Sequence, residues 1–598
     1  MEDSGRRVFP PPAMNYPRLR LPPGPSFLLQ QLLSPKVVGY VAFVGCIRVG
    51  GELLHLRIPL WAILSSSLVA LPAILYAQSR FLYWTAKRKA ESLGATLAPK
   101  VPHEWPAGID LITKSIDVFK FGYLGEDLVE WMAEGGQTID WRNLGESHIV
   151  TTEPQYIKMV LSTHFEEYEK GEDLRSTLQS LFGTGVFNSD GDLWKFHRSM
   201  TRPFFTKDRI GDFELFDRHA DKAIAKMKER FRKGIPVDVQ DLSSRFTMDT
   251  ATEFLFGQDL STLSADLPYP STHDRSRFRT HPSDRFSIAF GRAQEDTFLR
   301  VCYGNLWPLV DFWEDVVGTN KNVTWEFINP LVQTALEKKR AAKGMGNDGT
   351  LLDHLVQQTD DFDIIRDETF NILLAGRDTT TALATFTITM LADHPDIFAR
   401  LRSEVLETLG PTGKVNPENL KEMKYLRAVL NETLRLYPSV PANIRSTKQG
   451  VLWPAVDGGK PIYIPPNTQI HYSPWLMHRR TDLWGPTALE FDPDRFLDGR
   501  LKEYLVPNPF IFLPFNAGPR ICLGQQFAYH EASTFVAKIA QAFRSIALEM
   551  DSSPEAKPPV AWATGNGRKG VERVWVKSHV TLYARGGVWV RMEEADVE

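Results

Sequence analysis

Cysteine is scarce. The 598-residue chain has three, Cys46, Cys302 and Cys522. They are far apart and odd in number, which argues against a disulfide framework or a zinc site and suits a reducing compartment. Surplus charge is also lacking. Lys and Arg total 69 against 73 Asp and Glu, a formal net charge of −4, so no basic footprint for nucleic acid exists. No zinc-finger, homeodomain or RNA-module pattern appears. No G-x-G-x-x-G fingerprint stands in a strand–helix context, so no flavin or NADPH domain is expected within the chain. What remains, 43% hydrophobic and 24% charged, is ordinary for a chain with a large core.

Long uncharged runs are rare, and the exception lies near the N-terminus. Residues 1–57 read as a proline-rich and apolar pre-anchor segment. Its run Val37 to Ile47 is too short for a straight span. It either lies at a membrane interface, re-enters, or packs on the main domain. Ile58 to Gln78 carries no charge, and at ~1.5 Å per residue it reaches ~31 Å, enough for a transmembrane helix. Pro59 falls in the first turn and Pro72 predicts a kink. Residues 79–89 read as a basic linker. Arg80, Lys87, Arg88 and Lys89 outnumber Arg48 and Arg57 before the span, which places the downstream chain in the cytoplasm.

The densest chemistry stands in Phe515-Asn516-Ala517-Gly518-Pro519-Arg520-Ile521-Cys522-Leu523-Gly524. The pattern is F-x-x-G-x-R-x-C-x-G. Cys522 offers a thiolate to a haem iron. Gly518 and Gly524 let the backbone turn tightly beneath a flat ring. Arg520 suits a propionate, and Phe515 shields the sulfur. Gln525 to Ala540 reads as a helix whose N-terminus favours the thiolate. A lone cysteine is usually a small buried hydrophobe, but five matched positions at fixed spacing make that reading improbable. The stretch resembles the haem-binding segment of the cytochrome P450 family.

Other motifs follow in that family's order. Trp194 and Arg198 form W-x-x-x-R on one helix face, which in the resemblance meets a haem propionate. Ala375-Gly376-Arg377-Asp378-Thr379-Thr380 breaks local helix preference mid-helix. By resemblance Asp378 and Thr379 are the acid and alcohol that relay protons to dioxygen. Glu432 and Arg435 form E-x-x-R, a cheap pattern that Glu172/Arg175, Glu229/Arg232 and Glu337/Arg340 repeat. The following Leu436-Tyr437-Pro438 singles out Glu432. The resemblance adds Arg495 as its third partner, a structural lock, and Arg445 as another propionate ligand. Asp494 departs from the family, where Glu is common. Val580 to Met592 alternates around Gly586-Gly587 and predicts a hairpin. The loop Ala561 to Gly567 is expected as the far wall of the substrate pocket.

The resemblance covers about Ala90 to Met592 and implies a mainly α fold with small β-sheets, a haem-thiolate domain over 90–598. It implies haem b with Cys522 as axial ligand, and a monooxygenase inserting one atom of O2 into a hydrophobic substrate. Electrons then come from a separate NADPH-cytochrome P450 reductase, with cytochrome b5 as an optional second donor. The implied location is the endoplasmic reticulum membrane, with no nucleic-acid partner. The haem region and the C-terminal end look most like fungal hydroxylases of long-chain alkanes and fatty acids, with relatives that oxidise polycyclic aromatics. Alternatives are a tailoring hydroxylase of a terpenoid or other secondary metabolite, a reductase-independent isomerase or dehydratase, and a non-catalytic haem sensor.

Overall fold

The computed structural model describes residues 21–33, 59–205, 211, 213–271, 282–341, 349–456 and 458–596. The run Val37 to Ile47 lies outside them. Helices dominate, and the strands are short. The architecture is built around one helix, Phe362–Asp393, in which nearly every residue from Ile364 to Leu391 is buried. Asp361 caps it by accepting from the amides of Asp363 and Ile364 at 3.0 and 3.1 Å. It ends at His394, ahead of Pro395, which disfavours α geometry in the residue before it. A helix buried on all sides must be covered on all sides. Here Val239–Phe256, Val316–Ala341, Lys424–Leu436 and Gln525–Ala542 supply the cover.

Among the described residues, four small sheets accompany the helices. The largest has five strands in the order Thr138–Asp140, His148–Thr151, Gln469–Tyr472, Asn443–Thr447, Tyr168–Glu169. Its one parallel pair sets His148 opposite Gln469. This sheet brings Arg445, Tyr472 and the chain leading to Lys170 to one side of the central helix. A three-stranded sheet joins Val237–Asp238, Trp589–Glu594 and Phe543–Leu548.

Two expectations need correction. The hairpin does not turn at Gly586-Gly587. Val576–Ser578 pairs with Leu582–Ala584, so the turn is His579–Thr581. Trp589–Glu594 pairs instead with Phe543–Leu548. The two glycines have φ of +72° and +82°, and they carry the chain from one sheet to the other. A Cβ on Gly587 would stand 2.2 Å from an Asp238 carboxylate oxygen. The doublet marks a close backbone crossing, which from sequence looks the same as a turn.

The second correction concerns residues 79–89. They continue one helix, Leu60–Ser92, rather than forming a linker. Arg88 stacks over Trp84 at 3.7 Å, and Ala90 is buried where the helix reaches the main domain. Cation–π and tertiary contacts hold the basic stretch helical. Among the described residues, no helix is long and apolar enough to cross a membrane.

Candidate active site

The Cys522 loop packs between two helices. Gly518 has φ +67°, and a Cβ there would fall 1.8 Å from the Leu161 carbonyl oxygen. Its glycine is therefore required by backbone approaching from Met159–Thr163, not by a ring lying above it. The Cys522 amide donates to the Phe515 carbonyl at 3.0 Å and closes the loop. Phe515 packs on Tyr529 at 5.1 Å between ring centres. Arg198 donates to the Ile521 carbonyl at 2.5 Å, tying helix Gly191–Thr201 to the loop. The Cys522 side chain is open to an internal cavity while lying deep below the molecular surface. Burial pushes its thiol up, opposed by the Gly524 amide and by Arg198. Helix Gln525–Ala542 begins just beyond, yet burial outweighs the expected lowering. A coordinated thiol is deprotonated by the metal itself.

The cavity measures about 540 Å³ and is mostly apolar. Cys522, Phe515 and Gly524 line it, as do Trp194, Arg198, Arg445, Arg520, Thr379 and Thr380. One wall is strongly cationic. Arg520 donates to Asp190 Oδ1 at 2.8 Å and to the Ser189 carbonyl at 3.1 Å, with its guanidinium 4.5 Å over the Trp194 ring. Arg445 donates to Asn443 Oδ1 at 2.8 Å, while its buried Nε has no hydrogen-bond partner. Lys170, which the sequence patterns did not single out, lines the same wall. Burial and then Arg445 and Arg520 hold its ammonium well below the ordinary range. Burial and Arg445 bring Arg520 down to about 10. Lys170, Arg445 and Arg520 thus face chiefly one carboxylate, Asp190. Buried cations in excess call for bound anions, and the two carboxylates of a haem supply them. A thiol at the cavity floor and cations along its side fit the cofactor.

Above the floor runs the central helix. Thr379 Oγ1 donates back to the Ala375 carbonyl at 2.6 Å. A Cβ on Gly376 would meet only Ala251, at 3.7 Å, so this glycine keeps the cavity side open. Asp378 does not line the cavity. It accepts from Gln294 at 2.6 Å and from Arg377 at 2.8 Å, facing helix Pro282–Tyr303. Acid and alcohol are thus adjacent in sequence but point to different surroundings. Behind Thr380 lies Glu531, fully buried and also absent from the sequence reading. Thr250 donates to its Oε1, and burial raises its carboxyl to about 8. It could have been noticed only as a charged residue on the apolar face of Gln525–Ala542.

Glu432, Arg435 and Arg495 do meet. Arg435 grips both Glu432 oxygens at 2.7 Å and donates to the carbonyls of His478, Ala488 and Glu490. Arg495 Nε stands 3.5 Å from Glu432 Oε1 and donates to the carbonyls of Trp484 and Thr487. All three side chains are at most 1% exposed. The expected far wall is displaced. Ala561 and Trp562 line a separate, more open cleft, whereas Ser578, His579, Val580 and Thr581 wall the main cavity.

A mainly helical chain with a cysteine loop beneath a threonine-bearing helix, and cations set for two carboxylates, defines a haem-thiolate protein. The Cytochrome P450 family model matches residues 112–567. Cytochrome P450 52E1 of Candida apicola is 35% identical over 492 residues, covering 80% of this chain and 91% of its own. Cytochrome P450 52A10 of Candida maltosa is 36% identical over 76% of this chain and 83% of its own. Cytochrome P450 monooxygenase himC of Aspergillus japonicus is 33% identical over 82% of each. The chain belongs to the cytochrome P450 family. It is a haem b monooxygenase of the kind whose iron takes a cysteine thiolate ligand.

Proposed function

We propose that the protein hydroxylates hydrophobic substrates, long-chain aliphatic or polycyclic aromatic, with electrons from NADPH through a separate reductase. The observation that carries this reading is the mostly apolar cavity with Cys522 and Thr379 both in its wall. Haem ligated by a cysteine thiolate would supply dioxygen binding and O–O cleavage. Cys522 would hold the iron, and Arg520, Arg445, Trp194 and Arg198 would hold the propionates. The Thr379 hydroxyl donates to the Ala375 carbonyl, which leaves its oxygen free to accept, and Thr379 lines the cavity. Asp378 exchanges protons with the outside of the helix and Thr379 with the inside, the division of labour expected of a general-acid relay. Glu432, Arg435 and Arg495 form a lock that keeps the surrounding carbonyls in place.

The uncharged stretch 58–78 and the basic residues after it support a single-pass anchor, with the catalytic domain on the cytoplasmic face of the endoplasmic reticulum. The test is spectroscopic and kinetic. Cys522→Ala should lose the red-shifted Soret band of the reduced carbon-monoxide complex, while Cys302→Ala keeps it. Wild type with added reductase should consume NADPH and O2 with hexadecane, palmitate or a polycyclic aromatic. A band that survives Cys522→Ala and vanishes in Cys302→Ala sinks the assignment.

A further inference from the structure

His579 brings a polar ring to the wall of a mostly apolar cavity. It sits in the tight turn between Val576–Ser578 and Leu582–Ala584, alongside Val580, and Phe298, Val301 and Leu383 line the same space. Its tautomer follows from its neighbours. The Thr581 amide lies 3.1 Å from Nδ1, and an amide can only donate. Nδ1 is therefore the bare acceptor, and Nε2 carries the proton. Burial lowers the ring to about 4, so it is neutral near pH 7. Among the described residues Nε2–H has no hydrogen-bond partner. The ring is held in place. It stacks on Tyr583 with centres 4.7 Å apart and planes at 15°. The Leu582 amide donates to the Ser439 carbonyl at 2.9 Å, and Ser439 Oγ donates to the Thr379 carbonyl at 2.8 Å. The turn is thus anchored to the helix segment that carries Thr379.

We propose that His579 Nε2–H seats a neutral oxygen group of the substrate, an alcohol, ether or ketone on a hydrophobic skeleton. The proposal rests on the monooxygenase reading and narrows its substrate class. A donor without a protein partner on the wall of a mostly apolar cavity is satisfied by an acceptor on the ligand. The charged groups nearby argue against a carboxylate. Asp378 and Arg377 act on the ring with opposite sign and pair at 2.8 Å, and Glu295 and Arg585 likewise oppose each other at the stacked Tyr583, so among the described residues no unpaired cation stands there to hold a carboxylate. The cavity's cations stand instead beside the Cys522 loop. A rigid, preorganised donor in an apolar surround favours the oxygenated member of an otherwise identical pair.

The test uses the full-length holoenzyme with hexadecane, 1-hexadecanol and palmitate, each titrated by its shift of the Soret band. Wild type should bind hexadecanol roughly 3–10-fold more tightly than hexadecane, the worth of one hydrogen bond. His579→Phe keeps the stacked ring and removes the donor. It should bring the hexadecanol-to-hexadecane ratio to about 1 and leave hexadecane affinity within about twofold. His579→Gln, which restores a donor, should recover part of the preference. The proposal is overturned if His579→Phe keeps the preference, or if both affinities fall together. It is equally overturned if palmitate outbinds hexadecanol in wild type, or if none of the three binds. The carbon-monoxide band is read on the same samples, so loss of the haem-thiolate reading would be seen separately.

Discussion

Thr379 and Thr380 both line the cavity, one residue apart, but their surroundings differ. Thr379 turns back on the Ala375 carbonyl, and Thr380 lies toward Glu531. Thr379→Ala should keep haem and substrate binding, because only a hydroxyl and a methyl are removed. Product formation should fall ~10²-fold or more, with NADPH oxidation diverted to hydrogen peroxide. The ratio of product to NADPH consumed reads this out. Wild-type coupling in Thr379→Ala, with coupling lost in Thr380→Ala, would move the relay by one residue. Glu531 makes a separate prediction about stability. Its folded value of about 8 lies above its ordinary 4.5. The folded state therefore holds this proton more tightly than the unfolded state does. Its effect on stability is most favourable below pH 4.5 and is lost as pH rises through about 8. Glu531→Gln should flatten the fall of melting temperature with pH across that window. An unchanged pH profile would show that Glu531 titrates normally.

At the scale of elements, the loop holding Cys522 depends on what packs beneath it. Gly518→Ala combines a left-handed φ, worth about 1–3 kcal/mol of strain, with a direct clash on the Leu161 carbonyl. Haem content per folded protein should drop although no haem-facing atom changes. Gly376→Ala, by contrast, fits against Ala251 at an ordinary distance and should hold haem normally. Comparing the two variants separates a glycine needed for backbone packing from one that keeps the cavity open. The Glu432 lock belongs to this scale too. Three elements, Lys424–Leu436, Pro474–Met477 with the residue after it, and Pro493–Phe496, converge on one buried carboxylate and two guanidiniums. Arg435→Leu leaves that carboxylate short of its main partner, and breaking such a pair costs ~3–5 kcal/mol. Lowered melting temperature and poor haem retention are the expected readouts. Wild-type stability in that variant would mean that Arg495 compensates alone.

Across the whole molecule, local spacing carried the parts of the site that a single element holds. F-x-x-G-x-R-x-C-x-G, the Ala375 to Thr380 run and E-x-x-R each lie within one loop or helix, so their geometry follows from sequence separation alone. The helix that carries the Ala375 to Thr380 run ends ahead of Pro395, a stop that is likewise local in sequence. Residues that meet only through folding were not legible. Lys170 reaches the cation wall because its neighbouring strand pairs with Asn443–Thr447. Glu531 looked like an ordinary helix acid until two helices closed over it. His579 was missed because Gly586-Gly587 outranks it as a turn signal. The sequence by itself, through motifs that resemble a known family's, placed a cysteine, its flanking arginine and an adjacent acid and alcohol, because these need only short-range spacing. Tertiary structure alone decided which cations share a wall, which acid faces away from it and which ring lines the cavity. Those depend on strand pairings and close crossings between residues hundreds of positions apart, and no local pattern encodes them.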